Sequence, residues 1–223
     1  MGRSRRIRIS GKIVAAALLL GLTGPPGSPA AGQVTAPTEA GAALIGLDGA
    51  QIGTATFAVE GDRLRIEVDV TGLEPGFHGF HIHTTGTCDP AAKFVSAGGH
   101  FNPSGDSHGA HAGDLPPLYV RPDRTGRARF TTDRITVAQL LDADGAAVMV
   151  HANPDNFANI PSDYQSSEDA FPGADAMTKT HGDAGDRLAC GVVTTDRRGL
   201  PGGYFLGASD GGIFAFGGAR YGG

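Results

Sequence analysis

Seven of the eight histidines in this 223-residue chain fall in three short runs. GFHGFHIHTTGTC, residues 76–88, carries His78, His81 and His83. GGHFNPSGDSHGAHAGD, residues 98–114, carries His100, His108, His111 and Asp114, and VMVHANPDN, residues 148–156, supplies His151. Imidazole nitrogens ligate copper and zinc, and histidines scattered through a core would not group with an acid at short spacing. The pattern points to a metal site.

The elements carrying these residues decide whether they can converge. His81-Ile82-His83 lies in an alternating stretch, and on a strand residues two apart share a face. An isolated pair of this kind reads equally well as two exposed strand histidines, and the other runs favour metal. His108-Gly109-Ala110-His111-Ala112-Gly113-Asp114 has glycines between its donors and follows the turn-rich FNPSGD, so His100, His108 and His111 belong to a loop. It lacks the glutamate of the helical metalloprotease motif. Three donors here plus one from elsewhere would complete a tetrahedral zinc shell, at zinc–nitrogen distances of about 2.0–2.1 Å. The alternative is a solvated His/Gly loop. His151 ends the apolar run AAVMV, residues 146–150. Alone it would read as a satisfied core residue, and beside the other clusters it reads as a fourth copper ligand.

Residues 41–72 alternate as three antiparallel strands, ALIGL, IGTATFAVE and RLRIEVDV, with turns at Asp48-Gly49 and Gly61-Asp62. Further strands are predicted at 78–83, 117–121, 126–132, 146–151 and 188–194, and one helical turn within 135–144. Eight strands with long functional loops fit an all-β, flattened Greek-key barrel.

The motifs GFHGFHIH, GGHFNP, HAGD, VHANPD and GDAGDRLACGV, spanning residues 76–194 in that order, resemble the copper/zinc superoxide dismutases. That family has a β-sandwich architecture of the immunoglobulin kind, with long metal-binding and electrostatic loops. The resemblance implies copper ligands His81, His83, His100 and His151, and zinc ligands His100, His108, His111 and Asp114, with His100 bridging both metals. It implies that Asp155 links a copper histidine to a zinc histidine. Arg187 would attract the superoxide anion, Cys88 and Cys190 would form a disulfide, and His78 would be structural. The chain departs from the animal pattern in the short segment between His108 and His111, in the four residues between His83 and Cys88, and in the long stretch from Asn153 to Lys179. The last resembles actinobacterial members, some of which lack zinc ligands; this chain keeps all of them.

Residues 1–30 read as a secretory signal: basic MGRSRRIRISGK, apolar IVAAALLLGL, and a small-residue cleavage site at Ser28-Pro29-Ala30. The apolar run is too short for a membrane span, so a secreted or cell-envelope location without a stable membrane anchor is expected. Two cysteines in an exported chain suggest one disulfide. Closing a loop of roughly 100 residues would contribute about 4–5 kcal/mol at most. Residues 31–40 form a linker, 41–196 the dismutase domain, and 197–223 a Gly-rich extension. In the extension GYFLGASDGGIFAFG reads as a hairpin turning at Asp210-Gly211-Gly212 and resembles one unit of an actinobacterial surface repeat. Such units bury their faces only by stacking, so a weakly docked tail is the plainer reading.

The leader holds five of the 18 Lys and Arg residues and no acid, so its removal leaves 13 basic against 23 acidic residues, a formal charge of −10. That argues against nucleic acid or anionic membrane as partner, and leaves monomer and homodimer both open. The substrate implied by the resemblance is itself an anion, so Arg187, Lys179 and the metals must supply a local positive field. The implied activity converts superoxide to oxygen and hydrogen peroxide by alternate reduction and oxidation of copper, with His100 as proton carrier and zinc holding it. Two rivals stand beside it. One is a non-catalytic copper-binding protein of the same fold, against which Arg187 argues; the other is a zinc-free, copper-only dismutase.

Overall fold

The computed structural model describes residues 36–163 and 172–195, and the backbone of two further strands at 204–207 and 213–216. The expected signal segment, half of the linker, and the turn at residues 210–212 lie outside the described residues. So does part of the stretch between Asn153 and Lys179.

The alternating N-terminal third folds as its pattern dictates. Strands β1 (Glu39–Gly46), β2 (Gln51–Glu60) and β3 (Arg63–Thr71) pair antiparallel in sequence. In β3, Leu64, Ile66, Val68 and Val70 are buried and alternate with outward residues. The remaining strands of the main sheet are β4 (Gly76–His78), β5 (Phe80–His83), β6 (Leu118–Val120), β7 (Thr125–Thr132), β8 (Ala147–His151) and β9 (Arg187–Val192). Their order is β4-β6-β7-β3-β2-β1-β9-β8-β5. The crossovers from β3 to β7 and from β1 to β9 are those of a Greek key. Because β4 and β5 are consecutive in the chain, the sheet curls into a nearly closed barrel. On its outer face Asp69 stands opposite Arg127 and Glu67 opposite Arg129, ion-paired across β3 and β7. Such exposed pairs add little stability.

Nine strands form where eight are expected, because the run 78–83 breaks at Gly79. Up to His78 the chain pairs with β6, and from Phe80 onward with β8. At the corner the Gly79 N–H donates to Asn153 O (2.7 Å) and Gly79 O accepts from His151 N (2.8 Å). A Cβ at Gly79 would lie 2.7 Å from Ala184 Cβ and 3.1 Å from His81 Cε1, so no larger residue fits.

The main core gathers Leu44, Phe57, Ile66, Phe80, Ile82, Leu118 and Val148 between the barrel walls. A second cluster, Phe94, Ala97, Ala147, Met149 and Cys190, sits beside the loop that follows β5, with Ile45 and Cys88 packed against it. The expected helical turn is α1 (Val137–Leu140), opened by a capping box between Thr136 and Gln139. A second helix, α2 (Ala176–His181), occupies residues expected to be loop. Asp175 caps its N-terminus by accepting from Thr178 N, and Gly182, at φ 61°, ends it. Residues 204–207 and 213–216 pair antiparallel as a separate hairpin, β10 and β11. Among the described residues no helix is long and apolar enough to cross a membrane.

Candidate metal centre

His81 and His83 project from one face of β5, with ring centroids 6.4 Å apart, while Phe80 and Ile82 enter the main core. Two loop segments lie along the free side of this strand. Phe101 N donates to Ile82 O (2.8 Å) and Ile82 N to Gly113 O (2.9 Å), which sets His100 opposite His83 and Asp114 opposite His81. A Cβ on Gly113 would stand 2.5 Å from Ile82 O, so this approach requires glycine. The spacing between His100 and Asp114 in sequence is therefore the length of one excursion out from β5 and back.

Two buried groups of donors result. His81, His83, His100 and His151 have ligand atoms within 4.8 Å of one another, and so do His100, His108, His111 and Asp114. His100 belongs to both. Its Nδ1 donates to Asp114 Oδ1 (2.9 Å), and its Nε2 is buried with no hydrogen-bond partner. Asp155 joins the groups from behind, accepting from His81 Nε2 (2.5 Å) and from His108 Nε2 (2.8 Å). These bonds leave His81 Nδ1 and His108 Nδ1 buried and without hydrogen-bond partners. An unsatisfied buried polar atom costs roughly 1–3 kcal/mol, so three in one place need a partner that is not a side chain.

His83 and His151 give a second sign. His83 Nδ1 donates to Gly98 O (2.9 Å) and His151 Nδ1 to Gly185 O (3.0 Å). Each neutral ring then carries its lone pair on Nε2, and the two Nε2 atoms are 3.3 Å apart. Two acceptors face one another, an arrangement relieved by a cation between them. The donor chemistry fits: a four-imidazole group suits copper, and three imidazoles with one carboxylate suit zinc.

Electrostatics divide the groups. Burial, reinforced by His100 and His151, holds His83 well below the usual histidine value. Burial lowers His100 to about 4 against the pull of Asp114, and with His81 it lowers His151 to about 3. For His108 burial acts in the same direction but is outweighed by the Asp114 carboxylate, 3.4 Å from its Nδ1, and by the hydrogen bond to Asp155, which raise it to about 9. Burial opposes ionisation of both carboxyls, yet the histidines hold Asp114 and Asp155 well below the ordinary carboxylate range.

The short His108–Asp114 segment closes on its own acid. Asp114 Oδ2 accepts from Gly109 N (2.8 Å) and His111 N (3.0 Å). Gly109 has φ +84°, and a Cβ there would stand 2.5 Å from Phe157 O, so the turn depends on that glycine. The carboxylate thus shapes the loop as well as offering a ligand atom.

The structure gathers His81, His83, His100, His108, His111, Asp114, His151 and Asp155 into these buried groups. Arg187, at the start of β9 and half-buried, donates from Nη1 to Phe94 O (2.6 Å) and from Nη2 to Gly98 O (2.6 Å). Cys88 and Cys190 are disulfide-bonded, with Cα atoms 5.7 Å apart. Both ring nitrogens of His78 lie against carbonyls, His151 O (2.7 Å) and Glu74 O (2.8 Å), which keeps it out of both donor groups. Lys179 is exposed on α2, and its carbonyl accepts from His108 N (3.3 Å).

Sequence reasoning missed several participants. His181, the eighth histidine, ends α2 edge-on to His100, with ring centroids 5.8 Å apart. Its only signal was its residue type. Gly182 follows, and a Cβ there would fall 1.9 Å from Asp155 Oδ1 and 2.3 Å from His108 Nε2; the Asp155 link depends on that glycine. The carbonyls of Gly98, Gly185 and Phe94 carry no side-chain signature at all.

The family model for copper/zinc superoxide dismutase matches residues 51–193. A Cu-Zn superoxide dismutase of Mycolicibacterium paratuberculosis is 38% identical over 187 residues, 77% of this chain and 82% of that protein. One from Mycobacterium tuberculosis is 40% identical over 162 residues, 67% and 68% of the two chains. Among solved structures, the clock protein EA4 aligns with TM-score 0.56 and 28% identity, over 71% of this chain and 95% of that one. A double mutant of a SOD-like protein from Bacillus subtilis aligns with TM-score 0.52 and 31% identity, over 68% and 95%. With the paired donor groups, the family match over residues 51–193 and these identities, the chain belongs to the copper/zinc superoxide dismutase family.

Proposed function

We propose that this chain is an exported superoxide dismutase, turning two superoxide anions and two protons into oxygen and hydrogen peroxide. The observation that carries this reading is the placement of His100, which belongs to both donor groups and is the residue they share. His81, His83, His100 and His151 would hold copper, which when bound supplies one-electron chemistry by alternately taking up and returning an electron. His100, His108, His111 and Asp114 would hold zinc.

The chain's own residues do the rest. Arg187, fixed by two carbonyls, presents positive charge beside His83 and draws the anion in; at short range salt screens it little, the Debye length being about 8 Å at physiological ionic strength. His100 holds and releases a proton at Nε2, a buried atom with no hydrogen-bond partner, while its Nδ1 side stays anchored beside Asp114. Asp155 fixes the His81 and His108 rings together, so neither group shifts without the other. Export rests on the composition of residues 1–30, and mass spectrometry of the mature protein from the culture medium tests it, with cleavage expected after Ala30.

The deciding experiment is metal analysis of metal-loaded protein beside a superoxide assay. About one copper and one zinc per chain with activity supports the reading. Copper without activity makes this a copper-binding protein. Activity with copper alone removes zinc from the account.

A further inference from the structure

We infer that Phe94 is a positioning residue for Arg187. Its buried ring pegs the turn whose carbonyls hold the guanidinium. The inference rests on the role proposed for Arg187 above.

Among the described residues the Arg187 guanidinium hydrogen-bonds to one short turn, through Phe94 O and Gly98 O. Those residues flank the 3-10 turn Val95–Ala97, and Gly98 O also accepts from His83 Nδ1. One carbonyl therefore couples the arginine to a proposed copper ligand. The turn is entered through consecutive left-handed residues, Lys93 at φ 50° and Phe94 at φ 60°. A bulky side chain in that conformation is an outlier, and it persists only where surroundings over-determine it. Here they do. The Phe94 ring is fully buried in the second core cluster with Ala97, Ala147, Met149 and Cys190, and Phe94 N donates to Asp89 O (2.8 Å). β9 carries both Arg187 and Cys190, and the loop after β5 carries both Phe94 and Cys88. The two segments are thus joined three times: by the disulfide, by the ring, and by the guanidinium. Only the last two act on the carbonyls directly. Cys88 lies six residues before Phe94, so the disulfide alone leaves the turn free to swing.

Three measurements test this. In the metal-free protein, NMR of the Arg187 guanidinium reports whether both Nη groups are locked. In the copper-loaded protein, azide titration of the copper absorption band reports anion affinity, and the superoxide assay reports rate. Phe94→Ala should merge the separate Nη signals, and should weaken azide and slow the rate each by about tenfold, with the metal content unchanged. Phe94→Gly, which frees the backbone but removes the ring, should behave like Phe94→Ala. Phe94→Leu should fall between. Combined with Arg187→Ala, none should lower azide affinity further, because both act through one group. If Phe94→Ala does not fold, Phe94→Leu decides. Wild-type Nη signals and azide affinity in a folded Phe94→Ala, or in Phe94→Leu where it alone folds, overturn the inference. So does full additivity with Arg187→Ala. Should copper-loaded wild type lack dismutation altogether, the function reading fails, while the guanidinium signals still decide the role of Phe94.

Discussion

His83 and His151 are oriented by backbone carbonyls, whereas His108 and His111 are oriented by carboxylates, Asp155 and Asp114. The first pair stands at the ends of strands β5 and β8, buried and neutral, with both free nitrogens facing each other. The second pair stands on a loop that closes around Asp114, with His108 held toward its charged form. A carbonyl leaves the ring neutral and its other nitrogen basic. A carboxylate favours the proton instead, so a metal must compete for the site. The barrel therefore preforms the His83–His151 pair, and the loop group completes itself with its ion. His100 and Asp155 tie the two together.

The sharpest break in this comparison comes on the strand side. His83→Ala should abolish copper binding and activity while the fold persists, checked by copper stoichiometry, rate and circular dichroism. Near-wild-type copper and rate would remove His83 from the site.

Arg187→Glu should cut the rate strongly without changing the copper spectrum, because it reverses charge at the mouth and touches no donor. Stopped-flow superoxide decay measures it, and an unchanged rate would take Arg187 out of the mechanism.

Asp155→Asn tests the tie. An amide cannot accept from both rings with the same strength, so metal affinity should fall about 10–100-fold, and on both sides. Loss on the zinc side alone would show the groups to be independent.

On the loop side, Asp114→Ala should lose zinc together with stability. With zinc at 100 times its dissociation constant the linkage is about 2.7 kcal/mol, or about 5–10 °C in melting temperature. Equal zinc contents near zero in wild type and variant, with full activity, would favour a copper-only enzyme.

The smallest effect is a proton. His108, raised to about 9, is protonated at neutral pH in the metal-free protein, so zinc binding there should release about one proton. That release should fade, and zinc affinity level off, as pH rises through 9. His83 and His151 are lowered, so copper binding to them should release none near neutrality. Calorimetry in buffers of different ionisation enthalpy separates the two.

Much of the centre was legible because side-chain chemistry and strand period coincide. The two-residue spacing of His81 and His83 is the period of β5, and His151 ends a run that had to be a buried strand. The cysteines were legible from their number and the expected export, and Asp155 only through the family pattern. What stayed hidden depends on three-dimensional closure. The break at Gly79 comes from a change of pairing partner that no local pattern records. The helix Ala176–His181 lacks an apolar stripe, since it is made by its caps and by the Asp183 contact to Thr178 rather than by burial of a face. Phe94 carries no signal in the sequence, because its contact with Arg187 is made by its carbonyl rather than its side chain.

The central claim is that one imidazole, His100, stands between two metals. Anomalous diffraction from metal-loaded crystals, recorded at the copper and zinc edges, tests it most directly. The account expects two peaks on opposite sides of the His100 ring: copper on the Nε2 side with His81, His83 and His151, and zinc on the Nδ1 side with His108, His111 and Asp114. A single peak, or a second metal that does not touch His100, would contradict it.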